Sequence, residues 1–431
     1  MVYDLAIVGA GPGGLHAAKW AAKKGLKVIL IEKRKDVSKV TRYCSEHIIL
    51  DEHYNGDTIK VDEVQGKIIS TFNGWEVNYK GGLCPVTDKY YYSPTQNAIH
   101  FAWPDKRPFA YKYDKGFLLQ SLLDECQALK DFTYQSETTA YDATDSSQGV
   151  ELKCVSKGTK SKIRAKKLII ADGVNTRVGQ AMGFNRDRGY MGVALCLAVY
   201  MSGVKGYNPS EWKGWWGRCY GSNLAPLMGT GPAGHFEEWA DVIILGSSRD
   251  PAEKTFEFFT TKSPLADRFT NAKVETKHCC SVKAFTPIKR PYQGNGLIIG
   301  DAAAFVEVQA QGALSCGFRA AEAVAKELEG KKGFEQYTKW WLDTFEFNSG
   351  GMMRVQQGYA LIPTYTDEEV DYLFSLCEGV TLDGSWSQYK SPKMIWETIL
   401  RDPEKIKRER PTLLEKIRTV RANTLQESIS V

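Results

Sequence analysis

At 431 residues the chain exceeds one ordinary hydrophobic core and is expected to fold as two or three packed units. It is 43% hydrophobic and 25% charged, which excludes disordered and collagen-like classes, and a net charge of only +5 with interspersed signs excludes a polybasic nucleic-acid surface. Ten cysteines without regular spacing and without any C-x-x-C argue for reduced thiols, and against a disulfide framework, zinc knuckle or iron–sulfur cluster, so no metal is expected. No secretory leader pattern opens the chain, and no apolar run approaches the roughly eighteen residues that span a bilayer. The expectation is a cytoplasmic protein whose membrane contact, if any, is peripheral.

The first element is an apolar strand, Leu5 to Val8, running into Gly9-Ala10-Gly11-Pro12-Gly13-Gly14. A helix follows through about Lys24, Gly25 ends it, and a second strand runs from Lys27 to Ile31. In such a βαβ unit Gly9 permits the tight turn, Gly11 lets the backbone approach a pyrophosphate, and Gly14 lets helix and strand pack closely. The helix N-terminus offers unpaired N–H groups to the phosphates. Glu32 ends the second strand, where a carboxylate can accept hydrogen bonds from an adenosine ribose. Strand, glycines, helix, strand and acid in this order predict a dinucleotide site.

Next comes "TRYCSEH", Thr41 to His47, with a cysteine between an arginine and a Glu-His pair. A thiol there could be a proton donor, a redox centre or a packed side chain, and the residues alone leave all three open. Further along, "YDKGFLLQSLL" places Lys115 at a helix start, and "AKKLIIADGVNTR" reads as a strand, Leu168 to Ala171, ending in Asp172-Gly173. "VALCLAVYM", Val193 to Met201, and Val242 to Leu245 fit buried strands of a second, mostly antiparallel sheet. Trp212, Trp215, Trp216 and Tyr220 either line a cavity in that sheet or pack its core.

A second glycine pattern, Gly229 to Gly234, is read as a connection between strands, because too few residues follow it for a helix. The vicinal Cys279 and Cys280 are expected on opposite faces of a strand. The strand Leu297 to Ile299 leads into Gly300-Asp301 and then an amphipathic helix from near Gly312. Beyond about residue 331 the chain reads as amphipathic helices, with a basic excess from Arg401 to Arg421 that suits solvent, a membrane surface or an acidic electron carrier.

The G-x-G-x-x-G start, A-D-G-x-x-[ST]-R middle and G-D-A-A end resemble the flavoprotein hydroxylase and reductase superfamily, and within it the geranylgeranyl reductase branch. "YCSEH" stands where that branch carries a cysteine. The resemblance implies FAD, with Gly9, Gly11, Gly13, Gly14 and Glu32 at the adenosine diphosphate and Thr139 near the adenine. It implies Asp301 on the ribityl hydroxyls, Gly312, Ala313 and Leu314 under the pyrimidine end, and Cys44, Ser45, His47 and Lys115 along the cofactor. It also implies hydrogenation of isoprenoid double bonds.

Two departures bear on substrate. The branch's P-x-x-Y-x-W-x-F-P stretch has no match, its nearest counterpart being "RCYGSNLAPLMG", and the glycine-rich loop before the last helix is replaced by Glu307-Val308-Gln309-Ala310-Gln311-Gly312-Ala313. Glu307, Gln309 and Gln311 would suit a conjugated carbonyl or thioester acceptor as well as solvent. The tryptophan-halogenase signature W-x-W-x-I-P is not matched by "EWKGWWGRC".

The fold expected is α/β plus α+β. A Rossmann-type FAD-binding domain takes 1–75, 110–190 and 283–330, an antiparallel-sheet substrate domain takes 76–109 and 191–282, and a helical region takes 331–431. The function expected is FAD-dependent reduction or dehydrogenation of a carbon–carbon bond in a hydrophobic or conjugated substrate. Cys44, or His47 through a chain, is the candidate proton donor. With one nucleotide unit visible, electrons are expected from outside, from a ferredoxin-like carrier, a flavoprotein or NAD(P)H. An FAD monooxygenase and a flavin electron carrier feeding a quinone or partner protein are the alternatives.

Overall fold

The computed structural model describes residues 2–221, 225–246, 251–305, 307–349 and 364–420. Its first sheet is built around Val2–Val8, which pairs in parallel with Val28–Ile31 on one side and with Thr159–Ile170 on the other. Phe132–Gln135 extends it in parallel beyond Val28–Ile31, and Gly296–Ile298 pairs with the end of Thr159–Ile170. Leu5, Ala6, Ile7 and Leu30 are fully buried, as parallel strands covered on both faces must be. Gly149–Ser156 and Thr138–Ser146 continue the sheet as an antiparallel edge.

Helices Pro12–Lys23 and Gln309–Leu328 cross on this sheet at close range. A Cβ on Gly317 would lie 2.2 Å from the Gly13 carbonyl oxygen, so only glycine admits the crossing. The second helix begins at Gln309, three residues earlier than Gly312, because the turn closes directly after Val308, whose N–H is taken by Asp301.

The second sheet has eight strands in the order Lys273–Phe285, Tyr190–Ser202, Trp239–Gly246, Leu227–Thr230, Glu211–Trp215, Asp88–Tyr92, Ala98–Ala102 and Thr381–Leu382. Neighbours are antiparallel except Glu211–Trp215 with Asp88–Tyr92 and Ala98–Ala102 with Thr381–Leu382. Strand alternation sorts its side chains. Leu197, Val199, Trp215, Val242 and Ile244 share one buried cluster with Phe259 of helix Ala252–Thr261. Cys196, Ala198, Trp212 and Ile243 face the other way, against Val86, Phe109 and Ala110. The tryptophan cluster is thus divided between faces rather than lining one wall.

The second glycine pattern is a strand connection: Leu227–Thr230 and Trp239–Gly246 are antiparallel neighbours, and a Cβ on Gly231 would sit 2.1 Å from the Trp239 carbonyl oxygen. A small sheet of His47–Ile49, Ala110–Tyr113 and Leu83–Val86 links the two large ones. Helices Asp367–Ser375, Lys390–Ile399, Pro403–Glu409 and Pro411–Val420 pack on the far end of the second sheet through Val370, Leu373, Ile395 and Leu414. The region beyond residue 331 is therefore helical but also lends a short strand to that sheet. Among the described residues no helix is long and apolar enough to cross a membrane.

Candidate cofactor and active site

The glycine turn separates packing from opening. Gly9 has φ +99° and its Cβ would meet the Ala171 carbonyl oxygen at 2.4 Å. A Cβ on Gly14 would sit 1.9 Å from the Gly9 carbonyl oxygen, and one on Gly13 would sit 2.9 Å from that of Ala313. Gly11 differs: nothing lies within 4 Å of its would-be Cβ, and its φ of −79° suits any residue. It begins helix Pro12–Lys23, whose first turn has no side-chain cap, so N–H groups face the open space above Gly11.

Glu32 closes one side of that space. The Ala10 N–H donates to its Oε2 at 2.8 Å, and the Arg34 Nε–H donates to Oε1 at 3.0 Å while Nη2 reaches the Ala10 carbonyl at 3.0 Å. Burial would raise the Glu32 pKa, but Arg34 and the backbone donors outweigh it and hold the carboxyl below its ordinary value. The Thr138 N–H donates to the Glu32 carbonyl at 2.9 Å, which sets Thr139, half-buried, at the same rim.

At the other end the loop of Thr41 to Glu46 lies between the two large sheets. Arg42 donates from Nη2 to the Ser281 carbonyl at 2.7 Å, and the Tyr43 hydroxyl donates to Asp241 Oδ2 at 3.1 Å. Lys112 Nζ lies 3.3 Å from the same carboxylate oxygen, with both side chains buried. Half-buried Cys44 lies close to the Lys115 ammonium, which also faces Glu46 and Asp301. Burial works against that ammonium, yet these neighbours raise its pKa above the ordinary lysine value. Lys115 is the first residue of helix Lys115–Gln127, but its head turns inward rather than to solvent. A cleft of about 370 Å³ opens here, lined by Arg42, Cys44, Glu46, Tyr200 and His278.

The floor is formed by Asp301 and by Glu307 to Gln311 at the start of helix Gln309–Leu328. Asp301 Oδ1 accepts the Val308 N–H at 2.9 Å, and burial pushes its pKa up against the pull of Lys115 and Arg42. Glu307 accepts from Gln309 Nε2 at 2.5 Å and from Gln388 Nε2 at 3.1 Å. Burial and the nearby Asp301 push Glu307 up to about 7, and burial pushes Glu46 to a similar value. The Gln311 amide is 1% exposed and neither of its polar atoms has a hydrogen-bond partner among the described residues. Gly312, Ala313 and Leu314 follow it within the first turns of helix Gln309–Leu328.

His47 lies apart from this floor. Its ring stacks on Trp386 at 4.3 Å and meets Trp212 edge-on at 5.4 Å, and burial with nearby Lys112 drives its pKa well below the ordinary value. It is a neutral member of an aromatic wall that continues to Phe109. Ser45 lies half-buried between Cys44 and Glu46.

These residues fit FAD. An open cradle at a free helix end accepts a pyrophosphate, buried Glu32 accepts ribose hydroxyls, and the unpartnered Gln311 amide is a polar group awaiting a ligand at the ring end. Sequence reading did not find Arg34, which holds Glu32, or Lys112, Asp241 and Gln388, which come from separate segments; no local motif marks them.

A sequence model of the pyridine nucleotide-disulphide oxidoreductase family matches residues 3–196. The chain is 27% identical over 391 residues to digeranylgeranylglycerophospholipid reductase 1 of Methanococcoides burtonii, covering 86% of each. It is 25% identical over 351 residues to the digeranylgeranylglycerophospholipid reductase of Methanococcus vannielii, covering 78% of this chain and 82% of that one. Among solved structures, a geranylgeranyl bacteriochlorophyll reductase-like protein from Thermoplasma acidophilum superposes with a TM-score of 0.71 at 19% identity, over 97% of this chain and 99% of that one. The p-nitrophenol 4-monooxygenase of Pseudomonas putida shares the fold at a TM-score of 0.62 and 15% identity, over 93% and 97%. With a cradle that fits FAD, the chain shares the fold of FAD-dependent oxidoreductases and is similar along most of its length to the digeranylgeranylglycerophospholipid reductases.

Proposed function

We propose that this enzyme uses FAD to reduce a carbon–carbon double bond of a hydrophobic, isoprenoid-like substrate. The observation that carries the reading is the extent of the similarity to the digeranylgeranylglycerophospholipid reductases: 391 residues take in the second sheet and its aromatic wall as well as the dinucleotide unit. In this reading Gly9, Gly11, Gly13, Gly14 and Glu32 hold the adenosine diphosphate, with Thr139 at the adenine. Asp301, Lys115, Cys44, Ser45 and the helix start at Gln309 to Leu314 hold the flavin. His47, Trp212, Trp386 and Phe109 form the apolar side on which the substrate chain lies.

Bound FAD supplies a hydride from its N5 atom to the substrate carbon. The chain must supply the rest. An isolated alkene is not electron-poor, so a proton has to reach the neighbouring carbon as the hydride arrives, and the acid that gives it must hold its proton near neutral pH. Glu307 and Glu46 are held protonated by burial, and the Cys44 thiol lies close to Lys115. Cys44 stands on the loop side and Glu307 on the floor, so the two candidate donors approach from different directions. Lys115 and the positive end of helix Gln309–Leu328 favour the negative charge of a reduced flavin, the helix end by about 0.3–2 kcal/mol. The electron donor is external, of the ferredoxin-like, flavoprotein or nicotinamide class, or a dithiol as argued below. Contact with the membrane that carries such a lipid is peripheral.

Anaerobic photoreduction followed by addition of polyprenyl, quinone and enoyl-thioester substrates tests the reading. A polyprenyl substrate should reoxidise the flavin and gain two hydrogens. Reoxidation only by oxygen, with a hydroxylated product, would establish a monooxygenase instead.

A further inference from the structure

Cys196 and Cys280 are far apart in sequence and are brought together by register. In the antiparallel pairing of Tyr190–Ser202 with Lys273–Phe285 they stand directly opposite one another, and their thiols are near enough to perturb each other's titration. Directly opposed residues in such a pair have Cα atoms about 4.5–5.5 Å apart, inside the roughly 4.4–6.8 Å that a disulfide spans. Both side chains lie on the sheet face that carries Ala198 and Trp212, turned toward the cofactor domain. Arg42, Lys115 and Glu307 are near enough to the Cys280 thiol to act on it electrostatically, and Arg42 is anchored beside it on the Ser281 carbonyl. Cys280 is therefore within electrostatic reach of the charged residues that surround the proposed flavin site.

Access is asymmetric. Lys273–Phe285 is the edge strand of its sheet, and Cys280 on it is half-buried, whereas Cys196 on the neighbouring inner strand is buried. Cys279, one residue away, points to the opposite face and is exposed. The neighbouring Cys196 thiol, and the positive charge of Arg42 acting against burial, lower the Cys280 pKa below the ordinary thiol value. A thiolate with that environment is suited to exchange.

We propose that Cys196 and Cys280 form a reversible redox pair through which an external dithiol delivers electrons to the FAD. The proposal rests on FAD binding at the site described above. In the first step a donor thiolate attacks Cys280 Sγ, the Sγ–Sγ bond breaks, and Cys196 leaves and takes a proton. The donor's second thiol then displaces Cys280, so the donor departs as its own disulfide. In the second step the two thiols lose two electrons and two protons as their Sγ–Sγ bond reforms, and FAD takes up both electrons and both protons. The sum is donor dithiol plus oxidised FAD giving donor disulfide plus reduced FAD.

Anaerobic dithionite titration of the diamide-oxidised holoenzyme tests this. The wild type should accept four electrons, while Cys196→Ser and Cys280→Ser should each accept two, the flavin's share alone. Dithiothreitol should bleach the wild-type flavin at least tenfold faster than that of either variant. Cys279→Ser should behave as wild type in both measurements. Peptide mapping after alkylation of FAD-free protein provides a readout independent of the flavin: oxidised wild type should yield the Cys196–Cys280 cross-linked peptide, lost on dithiothreitol treatment. Uptake of two electrons by the wild type, no cross-linked peptide, or equal bleaching in Cys280→Ser would overturn the proposal. Failure to bind FAD with the cross-link intact would instead overturn the cofactor reading.

Discussion

Gly11 and Gly14 lie three residues apart, yet the structure assigns them opposite consequences on substitution to alanine. The Gly14 Cβ would lie 1.9 Å from the Gly9 carbonyl oxygen and 3.3 Å from Ala171 Cβ, and ordinary contact begins near 3.4 Å. The first neighbour is backbone, so relief needs the helix to shift by more than an ångström away from Val2–Val8. Overpacking of this kind costs about 1–3 kcal/mol, and a backbone obstacle puts it at the upper end. Gly14→Ala should therefore lower the stability of the FAD-free protein by about 3 kcal/mol. Gly11 has no neighbour within 4 Å of its Cβ and an unstrained φ of −79°, so Gly11→Ala should change FAD-free stability by under about 0.5 kcal/mol.

The methyl of Gly11→Ala instead occupies the space the pyrophosphate would use. If it imposes the same about 1–3 kcal/mol on the bound state only, FAD affinity falls roughly 5- to 140-fold. Denaturant melts of the FAD-free proteins and fluorescence titration with FAD separate the two effects. A Gly11→Ala variant that binds FAD like wild type would refute the placement of the pyrophosphate above this residue.

Replacing Cys44 by serine should leave FAD bound and slow substrate reoxidation of the reduced flavin, measured by stopped-flow absorbance; an unchanged rate would remove the thiol from proton delivery. Lys112→Met should destabilise the fold by about 3–5 kcal/mol, because it strands the buried Asp241 carboxylate, and pairing it with Asp241→Leu should recover most of the loss in denaturant melts. Glu307 keeps its proton up to about 7 in the folded state and loses it near 4.5 when unfolded. The folded protein therefore binds more protons across that window, and stability falls as pH rises from about 4.5 to 7 and levels above it. Glu307→Gln should flatten that slope, by about 1–3 kcal/mol between pH 5 and 8. Parallel stability curves for the two proteins would show that the carboxyl is not held protonated.

The dinucleotide unit was legible because its physics is local. Leu5 to Val8, the glycines, the helix and Glu32 lie within about thirty consecutive residues, and each is forced by a backbone approach or a strand end that the spacing encodes. The alternation of Cys279 and Cys280 was legible for the same reason, since period two assigns opposite faces within one strand. Register between strands is another matter. The Cys196–Cys280 pairing joins residues over eighty positions apart, and a slip of one residue would turn either side chain to the opposite face. Lys115 was placed along the cofactor by resemblance, whereas its helix-start position alone suggested a solvated charge; its inward turn depends on Cys44, Glu46 and Asp301 arriving from two other segments. The helix at Gln309 starts earlier than the glycine suggested because the Asp301 side chain captures the Val308 N–H, a bond that no periodicity reveals.

That convergence bears on why the loop at Glu307 departs from the glycine-rich form. Three cations, Arg42, Lys112 and Lys115, lie near four carboxyls, Glu46, Asp241, Asp301 and Glu307, around the cleft beside the Cys44 loop. Burial raises the pKa of all four acids, so the cluster does not relax into simple ion pairs, and at neutral pH part of its acid is held as protons beside uncompensated positive charge. In the proposed function such a site would stabilise an electron-rich flavin and keep a proton supply at the same place. Both are required for hydrogenation of an alkene, which consumes one hydride and one proton on adjacent carbons. Glycines in that loop would leave room for substrate but would bring no proton. In the proposed reading the acid is carried by the loop, and the apolar surface for the substrate falls to Trp212 of the second sheet with Trp386 and Phe109 packed beside it.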